Sequence, residues 1–381
     1  METRTETSQR LQLDYAGVGL TVRSDDRAML TWLAEFLAPS FTAVSHCASD
    51  YAIHCDTDNA EYERLLRLKQ SANCRDVDCF SNDGNFSRSM AWTDSNGVTW
   101  LHPNSEGAFV GIPATGSKLW IIDRDAGCDR PTVMRVVREL ATMAQLHRGR
   151  LLLHAAAFKW AGEATIVCGP KQAGKTTFLM HALAAGCGFI ANDRVVVAPR
   201  SANRLAFGMP TIVSVRQPTL EFFPDLAERC AASRFDYRRS LTECGRGGLA
   251  TPLRRKDGGS LPGLSGLQFC RLLGAPAVAS APLARVIFPN IQPHVHGSEL
   301  IPLRRDDAAR RLAQSVFAPS RPWRWSTAFE RFAAAGPPSA EWIESECRRL
   351  TAGVACFECL LGRDAYQSRT LWTQSRRRVA A

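Results

Sequence analysis

Residues 164–186 read ATIVCGPKQAGKTTFLMHALAAG, and this stretch decides the fold of the chain. The pattern G-x-x-x-x-G-K-[ST] is matched in full, by Gly169, Gly174, Lys175 and Thr176. An apolar run rich in β-branched residues leads into the pattern, and a helical pattern follows it. A chain of this length would match the four positions by chance roughly one time in a hundred. The order of strand, glycine-containing loop and helix predicts a loop that binds phosphate groups.

The chemistry of the loop predicts a nucleoside triphosphate as its ligand. Glycines let backbone N–H groups turn toward the phosphates, and the amino-terminal end of the following helix adds the positive end of its dipole. Lys175 would reach the β- and γ-phosphate oxygens, and Thr176 would ligate Mg²⁺. The predicted nucleotide-binding residues are Gly169, Pro170, Lys171, Gln172, Ala173, Gly174, Lys175, Thr176 and Thr177. The alternative is a tight strand-to-helix turn that binds no ligand.

Two polar side chains are predicted to lie beside the loop. His154 precedes Gly169 by 15 residues (169 − 154), near the end of a strand that pairs with the strand entering the loop. Asp193 follows Lys175 by 18 residues (193 − 175), at the end of the next strand, which should open toward the same cleft. We predict that Asp193, His154 and Lys175 are catalytic, and that Thr176 and Asp193 are metal ligands. The alternative for His154 is a core histidine with one hydrogen-bonded nitrogen.

Residues 150–290 resemble the C-terminal fold of the HPr kinase/phosphorylase family, and in particular its stand-alone relatives, which include kinases of lasso-peptide precursors. The resemblance rests on LLLHAAAF (151–158), on the loop motif and on FIANDRVVV (189–197). It implies an α/β fold, in which helices flank a mixed-sheet core that carries a P-loop. It also implies ATP and Mg²⁺ as cofactors, and a serine hydroxyl of a peptide or protein as the phosphoryl acceptor.

One position departs from the family pattern. Where the bifunctional enzymes carry two consecutive aspartates, this chain has Asn192 followed by Asp193. An amide does not take a proton near neutral pH, so Asn192 cannot serve as the base. Either Asp193 is the base and Thr176 mainly holds the metal, or another carboxylate arrives from elsewhere, or the chemistry has changed. A nucleotide-binding switch or scaffold with little or no phosphoryl transfer is therefore the alternative to a kinase.

The chain is long enough for more than one domain. Residues 11–148 alternate short apolar runs with polar turns, which predicts a smaller α+β domain at 1–148 that binds the substrate or a partner. We place the nucleotide-binding core at 149–302 and a mainly helical region with a basic tail at 303–381. The segment 245–266 is rich in Gly and Pro, which predicts a mobile loop.

The net charge of +10 raises the question of a nucleic-acid partner. Only six of the 47 basic residues are Lys, which leaves 41 Arg (47 − 6) scattered over the chain. Aromatic residues do not interleave with them, so we do not predict nucleic-acid binding, whereas an acidic peptide or protein is compatible with the charge. Three arginines are candidates for holding the transferring phosphate, and the alternative for each is a surface or ion-pair role: Arg194, Arg216 and Arg285.

Cysteine usage and hydropathy bear on the compartment. The 13 Cys residues have irregular spacings, and Cys168, Cys187 and Cys270 stand inside apolar runs, which is typical of reduced thiols in the cytoplasm. No run approaches eighteen uninterrupted apolar residues, so we predict neither a membrane span nor a secretion signal. The sequence does not decide the oligomeric state.

Overall fold

The chain is a mixed α/β protein with two mixed sheets and helices packed against them. The computed structural model describes residues 9–82, 85–102, 107–124, 130–200, 203–213, 215, 217–232, 264–292, 294–318, 327–332, 338–362 and 364–365. Within these residues, no helix combines the length and the apolar character that crossing a membrane requires. The prediction of an α/β fold class is confirmed at this level.

The first sheet has nine strands in the order β3-β1-β2-β4-β9-β8-β7-β6-β5. Their bounds are β1 Gln9–Tyr15, β2 Val18–Ser24, β3 Thr42–Ala43, β4 Tyr51–Thr57, β5 Arg75–Asn82, β6 Asn85–Thr93, β7 Val98–His102, β8 Phe109–Pro113 and β9 Lys118–Asp123. Strand β4 is parallel to both β2 and β9, whereas the other pairs are antiparallel. The alternation of short apolar runs and polar turns in this region thus corresponds to strands.

Three helices cover the first sheet, and their bounds are α1 Arg27–Leu37, α2 Asn59–Ser71 and α3 Arg130–His147. Asp26 and Asp58 cap α1 and α2, because each side chain accepts a hydrogen bond from a backbone N–H three residues later. Helices α1 and α3 share one buried cluster with alternate residues of the central strands. Helix α2 buries Tyr62 and Leu65 in a second cluster with Trp100 and other residues from the opposite face of the sheet.

The second sheet follows α3 and carries the predicted loop. Its strands are β10 Leu151–Trp160, β11 Glu163–Cys168, β12 Gly188–Ala191, β13 Arg194–Val197, β14 Leu205–Gly208, β15 Ser280–Ile291, β16 Ser298–Pro302 and β17 Ala355–Leu361. The order is β11-β10-β13-β14-β15-β17-β16, and β12 pairs with β10. Because β11 also pairs with β15, in parallel, the five strands β11, β10, β13, β14 and β15 close into a ring.

Helices pack against both faces of the second sheet. Their bounds are α4 Lys175–Ala184, α5 Gln217–Leu220, α6 Pro224–Ala232, α7 Gly266–Leu273, α8 Arg305–Ala313 and α9 Ala340–Thr351. A 3-10 helix at Thr327–Phe332 packs instead against α3 and β5. On one face, Phe178 of α4 and Phe269 of α7 pack in a cluster with Phe158. On the other face, α8 and α9 share a cluster with the alternate residues of β10 and β15. The sheet that carries the loop is therefore held from both sides.

The three predicted regions relate to the structure in different ways. Leu152, Val196 and Phe317 belong to the same buried cluster as α1 and α3, so the core is continuous across residue 148. The division of the chain at residues 148 and 302 stays a prediction. Beyond residue 303, α8 and α9 agree with the helical prediction, but β17 is a strand that the prediction lacked. The predicted mobile loop lies outside the described residues, except for its last three residues.

Candidate functional site

The loop between β11 and α4 is a tight turn with two residues in the left-handed region. Gln172 has φ 71° and Gly174 has φ 88°. Gly174 occupies the position that precedes α4, and it offers no side chain that could cap the helix. The first backbone N–H groups of any helix have no partner within that helix. An uncapped helix start beside a turned backbone has the donors and the dipole that bind an anion.

Lys175 begins α4 and turns back over the loop. Its side chain is buried, with 8% of the residue surface exposed. The Nζ atom donates to the carbonyl oxygens of Gly169 and Pro170, at 2.8 and 2.9 Å. These two hydrogen bonds hold the ammonium group inside the curve of the loop, where it supplies a positive charge.

Strand register brings His154 to the loop. Ala155 of β10 pairs with Cys168, the last residue of β11, so His154 lies beside the first residue of the loop. The backbone N–H of Ala155 donates to the carbonyl of Asp193 at 3.0 Å, which fixes the chain between β12 and β13 next to β10. The Nδ1 atom of His154 lies 3.2 Å from Oδ1 of Asp193. The structure thus brings together the three residues that the sequence predicted to be catalytic.

The environment sets the protonation states of this pair. Burial lowers the pKa of His154, and the positive charges of Lys175 and Arg194 act in the same direction, while Asp193 opposes them. Burial alone would raise the pKa of the Asp193 carboxyl, but the hydrogen bond from His154 and the nearby charges of Arg194 and Lys175 outweigh it. The pKa of Asp193 is therefore held below its usual range. At neutral pH the pair consists of a neutral imidazole and an ionised carboxylate.

Arg194 lies against carboxylates. Its Nε atom is 3.9 Å from Oδ2 of Asp193, and its Nη1 atom is 3.7 Å from Oε1 of Glu139 in α3. The guanidinium group also lies over the ring of Phe317, with 5.1 Å between Cζ and the ring centroid. Sequence reasoning placed Arg194 near the loop but missed Glu139. A charged residue in a helical repeat gives no local signal of a contact with a strand 55 residues later (194 − 139).

The other two arginine candidates do not join the site in the described residues. Arg285 pairs with Glu163 at 2.9 Å and lies over the ring of Trp160. Glu163 is the first residue of β11, whereas the loop follows its last residue, so Arg285 lies at the opposite end of this strand. Arg216 lies outside the described residues. Arg285 thus has the ion-pair role that was the alternative to holding a phosphate.

Asn192 and Asp193 face different surroundings although they are adjacent. The hydroxyl of Thr211 donates to Oδ1 of Asn192 at 2.8 Å. Asn192 also lines a small pocket, together with Ser40 after α1 and Met209 after β14. Asp193 instead faces His154. The two positions therefore do not present a pair of equivalent side chains to the loop.

The two threonines of the loop motif differ in their surroundings. Thr177 is buried, and its hydroxyl lies 3.0 Å from the hydroxyl of Thr219 in α5. Thr176, the predicted metal ligand, is partly exposed. The described part of the chain contains no group of three or more His, Cys, Asp or Glu side chains that could hold a metal ion. An oxygen site here would have to combine Asp193 and Thr176 with oxygens from a bound phosphate or from water.

Comparisons with known proteins do not place the chain in a family. No family model matches the chain, and a search of curated proteins finds none with significant sequence similarity.

Proposed function

We propose that the chain is an ATP-dependent kinase of the HPr kinase-like type, with a P-loop in the core. In this proposal it transfers the γ-phosphoryl group of ATP to a hydroxyl, that of a serine, in a peptide or protein. One observation carries the proposal: the pair of His154 and Asp193, 3.2 Å apart, lies beside a loop that contains the buried Lys175. An anion-binding loop with an ionised carboxylate at its side has the parts that phosphoryl transfer requires.

The residues around the loop fit a triphosphate. The start of α4 and the turned backbone from Gly169 to Gly174 offer N–H donors, and Lys175 offers a positive charge that the loop carbonyls hold in place. Asp193 and Thr176 would supply oxygen ligands, which Mg²⁺ prefers. When bound, Mg²⁺ supplies neutralisation of the charge on the phosphate oxygens.

The residues would act mainly by placing and balancing charge. The acceptor oxygen forms a bond to the γ-phosphorus, the bond between this phosphorus and the bridging oxygen breaks, and ADP leaves with the electron pair. The hydroxyl proton is directed to Asp193, which is ionised at neutral pH because its pKa is lowered. Lys175 stabilises the charge on the β- and γ-phosphate oxygens. His154 holds the carboxylate of Asp193 in place from 3.2 Å.

The test is the variant Lys175→Ala, compared with Lys159→Ala as a matched loss of one lysine. Lys159 lies near the far end of β10, where it pairs with Ala164 and Gly188. ATP binding is measured by calorimetry, and transfer is measured with γ-labelled ATP and a lysate of the source organism. We expect Lys175→Ala to abolish both, and Lys159→Ala to retain both. Normal ATP affinity in Lys175→Ala would show that the loop assignment is wrong.

A nucleotide-dependent switch is the second candidate, and the partners of the two polar side chains favour it. Asp193 lies against His154 and Arg194, and Asn192 accepts from Thr211, so both are engaged within the protein. In a switch, ATP would close the cleft for a partner without transfer to a hydroxyl. The γ-labelled lysate experiment separates the two functions, because a switch gives no labelled acceptor although it binds ATP.

A further inference from the structure

Helix α3 contributes a buried carboxylate to the surroundings of the candidate site. Glu139 has only 4% of its surface exposed, and its Oε1 atom lies 3.7 Å from Nη1 of Arg194. The Nε atom of the same guanidinium lies 3.9 Å from Oδ2 of Asp193. Arg194 therefore stands between the carboxylate of α3 and the carboxylate beside the loop.

A second buried arginine lies close to these charges. Arg138 precedes Glu139 in α3, and its Nη1 atom donates to the sulfur of Met134 at 3.2 Å. Burial and the charge of Arg194 lower the pKa of Arg138 to about 9, while Glu139 opposes this shift. The charges of Arg194, Glu139 and Asp193 all act on Arg138, and Arg135 adds a further positive charge. Buried charges of this kind are tolerated only when each has a counter-charge, so the loss of one carboxylate must change how the others pair.

We propose that Glu139 is a positioning residue that acts on Asp193 through Arg194, an inference that rests on the proposed kinase function. Arg194 lies within ion-pair distance of both carboxylates, at 3.7 and 3.9 Å, so its charge is shared between them. Glu139 keeps Arg194 from closing onto Asp193. The carboxylate of Asp193 then stays turned toward His154 and toward the place of the acceptor hydroxyl.

The position of Glu139 is fixed by the packing of its helix. Val137 and Leu140, on either side of Glu139, are fully buried in the cluster that joins α3 to the first sheet. The same cluster contains Val196 of β13, two residues after Arg194. The helix therefore holds Glu139 as firmly as the strand holds Arg194, which is what a positioning residue needs.

The variant Glu139→Gln tests the inference, with Glu346→Gln as a matched control. Glu346 is a buried carboxylate of α9 that pairs with Arg200 at 2.7 Å. We expect Glu139→Gln to lower kcat by about tenfold or more, with KM for ATP unchanged within about twofold, because only the placement of Asp193 changes. Glu346→Gln should lower Tm and leave kcat unchanged. Glu139→Asp, which keeps the charge, should recover part of the rate.

A wild-type rate in Glu139→Gln would overturn the inference. A second measurement does not depend on turnover: urea unfolding of Glu139→Gln, Asp193→Asn and the double variant. Because both carboxylates balance Arg194, the double variant should be destabilised by more than the sum of the single variants. Additive effects would overturn the inference. If the wild type transfers no phosphoryl group, the proposed kinase function fails, and the unfolding result alone then decides whether Glu139 and Asp193 are coupled.

Discussion

The first and second sheets each bury a histidine, and they surround it differently. In the first sheet, His102 lies 2.9 Å from Nζ of Lys69 through Nδ1 and 2.9 Å from the carbonyl of Gly107 through Nε2. Its ring also stacks on Phe109, with 4.1 Å between centroids. In the second sheet, His154 lies 3.2 Å from an ionised carboxylate at the side of a loop.

Burial lowers the pKa of both histidines, but with different consequences. The pKa of His102 falls to about 4, because burial and Lys69 both disfavour the charged ring. His102 therefore stays neutral, and its contact with Lys69 links α2 to the sheet. This role is structural. Around His154, the partly exposed Asp193 and the buried Arg194 and Glu139 place charges of both signs close together. The comparison teaches that a lowered histidine pKa does not by itself mark a functional site.

The largest expected effect comes from the carboxylate of the second sheet. Asp193→Asn keeps the size of the side chain but removes its charge and its capacity to accept the acceptor proton. We expect phosphoryl transfer to fall by about 10²–10⁴-fold, the usual contribution of a positioned acid or base. ATP should still bind, which calorimetry checks alongside transfer from γ-labelled ATP. Equal labelling of the acceptor by the variant and the wild type would show that Asp193 takes no part in the reaction.

The next largest effect concerns the contribution of the first sheet to stability. Phe109 is fully buried against Tyr62, Trp92 and His102. Phe109→Ala should lower the free energy of unfolding by about 3–5 kcal/mol, because it leaves a cavity in this cluster. Met90→Ala is the control, because Met90 lies in the same sheet with 41% of its surface exposed. Urea unfolding measures both, and a small loss in Phe109→Ala would show that the cluster is loosely packed.

A smaller effect concerns His102 and pH. The ordinary pKa of histidine is 6.5, and that of folded His102 is about 4, so the unfolded chain binds more protons between these values. The free energy of unfolding should therefore fall as the pH falls from 6.5 to 4. His102→Gln should flatten this dependence, and at neutral pH it should cost about 1–3 kcal/mol through a lost hydrogen bond. Urea unfolding at several pH values gives the slope of the free energy of unfolding against pH. An unchanged slope in His102→Gln would contradict the lowered pKa of His102.

The smallest effect is expected at Asn192. The hydroxyl of Thr211 donates to Oδ1 of Asn192, and an aspartate can accept the same hydrogen bond. Asn192→Asp should therefore change the free energy of unfolding by only about 0.5 kcal/mol, and it should retain or raise transfer. The same labelling and unfolding experiments measure both quantities. A loss of transfer in Asn192→Asp would show that the amide itself is needed.

The parts of the chain that could be predicted carry local signals. The apolar run before Gly169, the motif and the helical repeat after it predict β11, the loop and α4, and all three lie where expected. Helix α2 was missed although Asp58 and Glu61 offer a start signal, because few of its residues are apolar. The contact between Glu139 and Arg194 left no trace in the sequence, because only the packing of α3 against the second sheet brings the two residues together.

The parallel pairing of β11 with β15 has a consequence for the nascent chain during translation. Val167 pairs with Ile287, which leaves the ribosome 120 residues later (287 − 167). Strand β10 can pair with β11 as soon as their hairpin emerges, but the other edge of β11 stays open while those residues are synthesised. An open strand edge can pair with another chain, so this interval is the one in which the nascent protein is most exposed to aggregation. The segment that binds phosphate in our proposal is therefore translated well before the strand that encloses it.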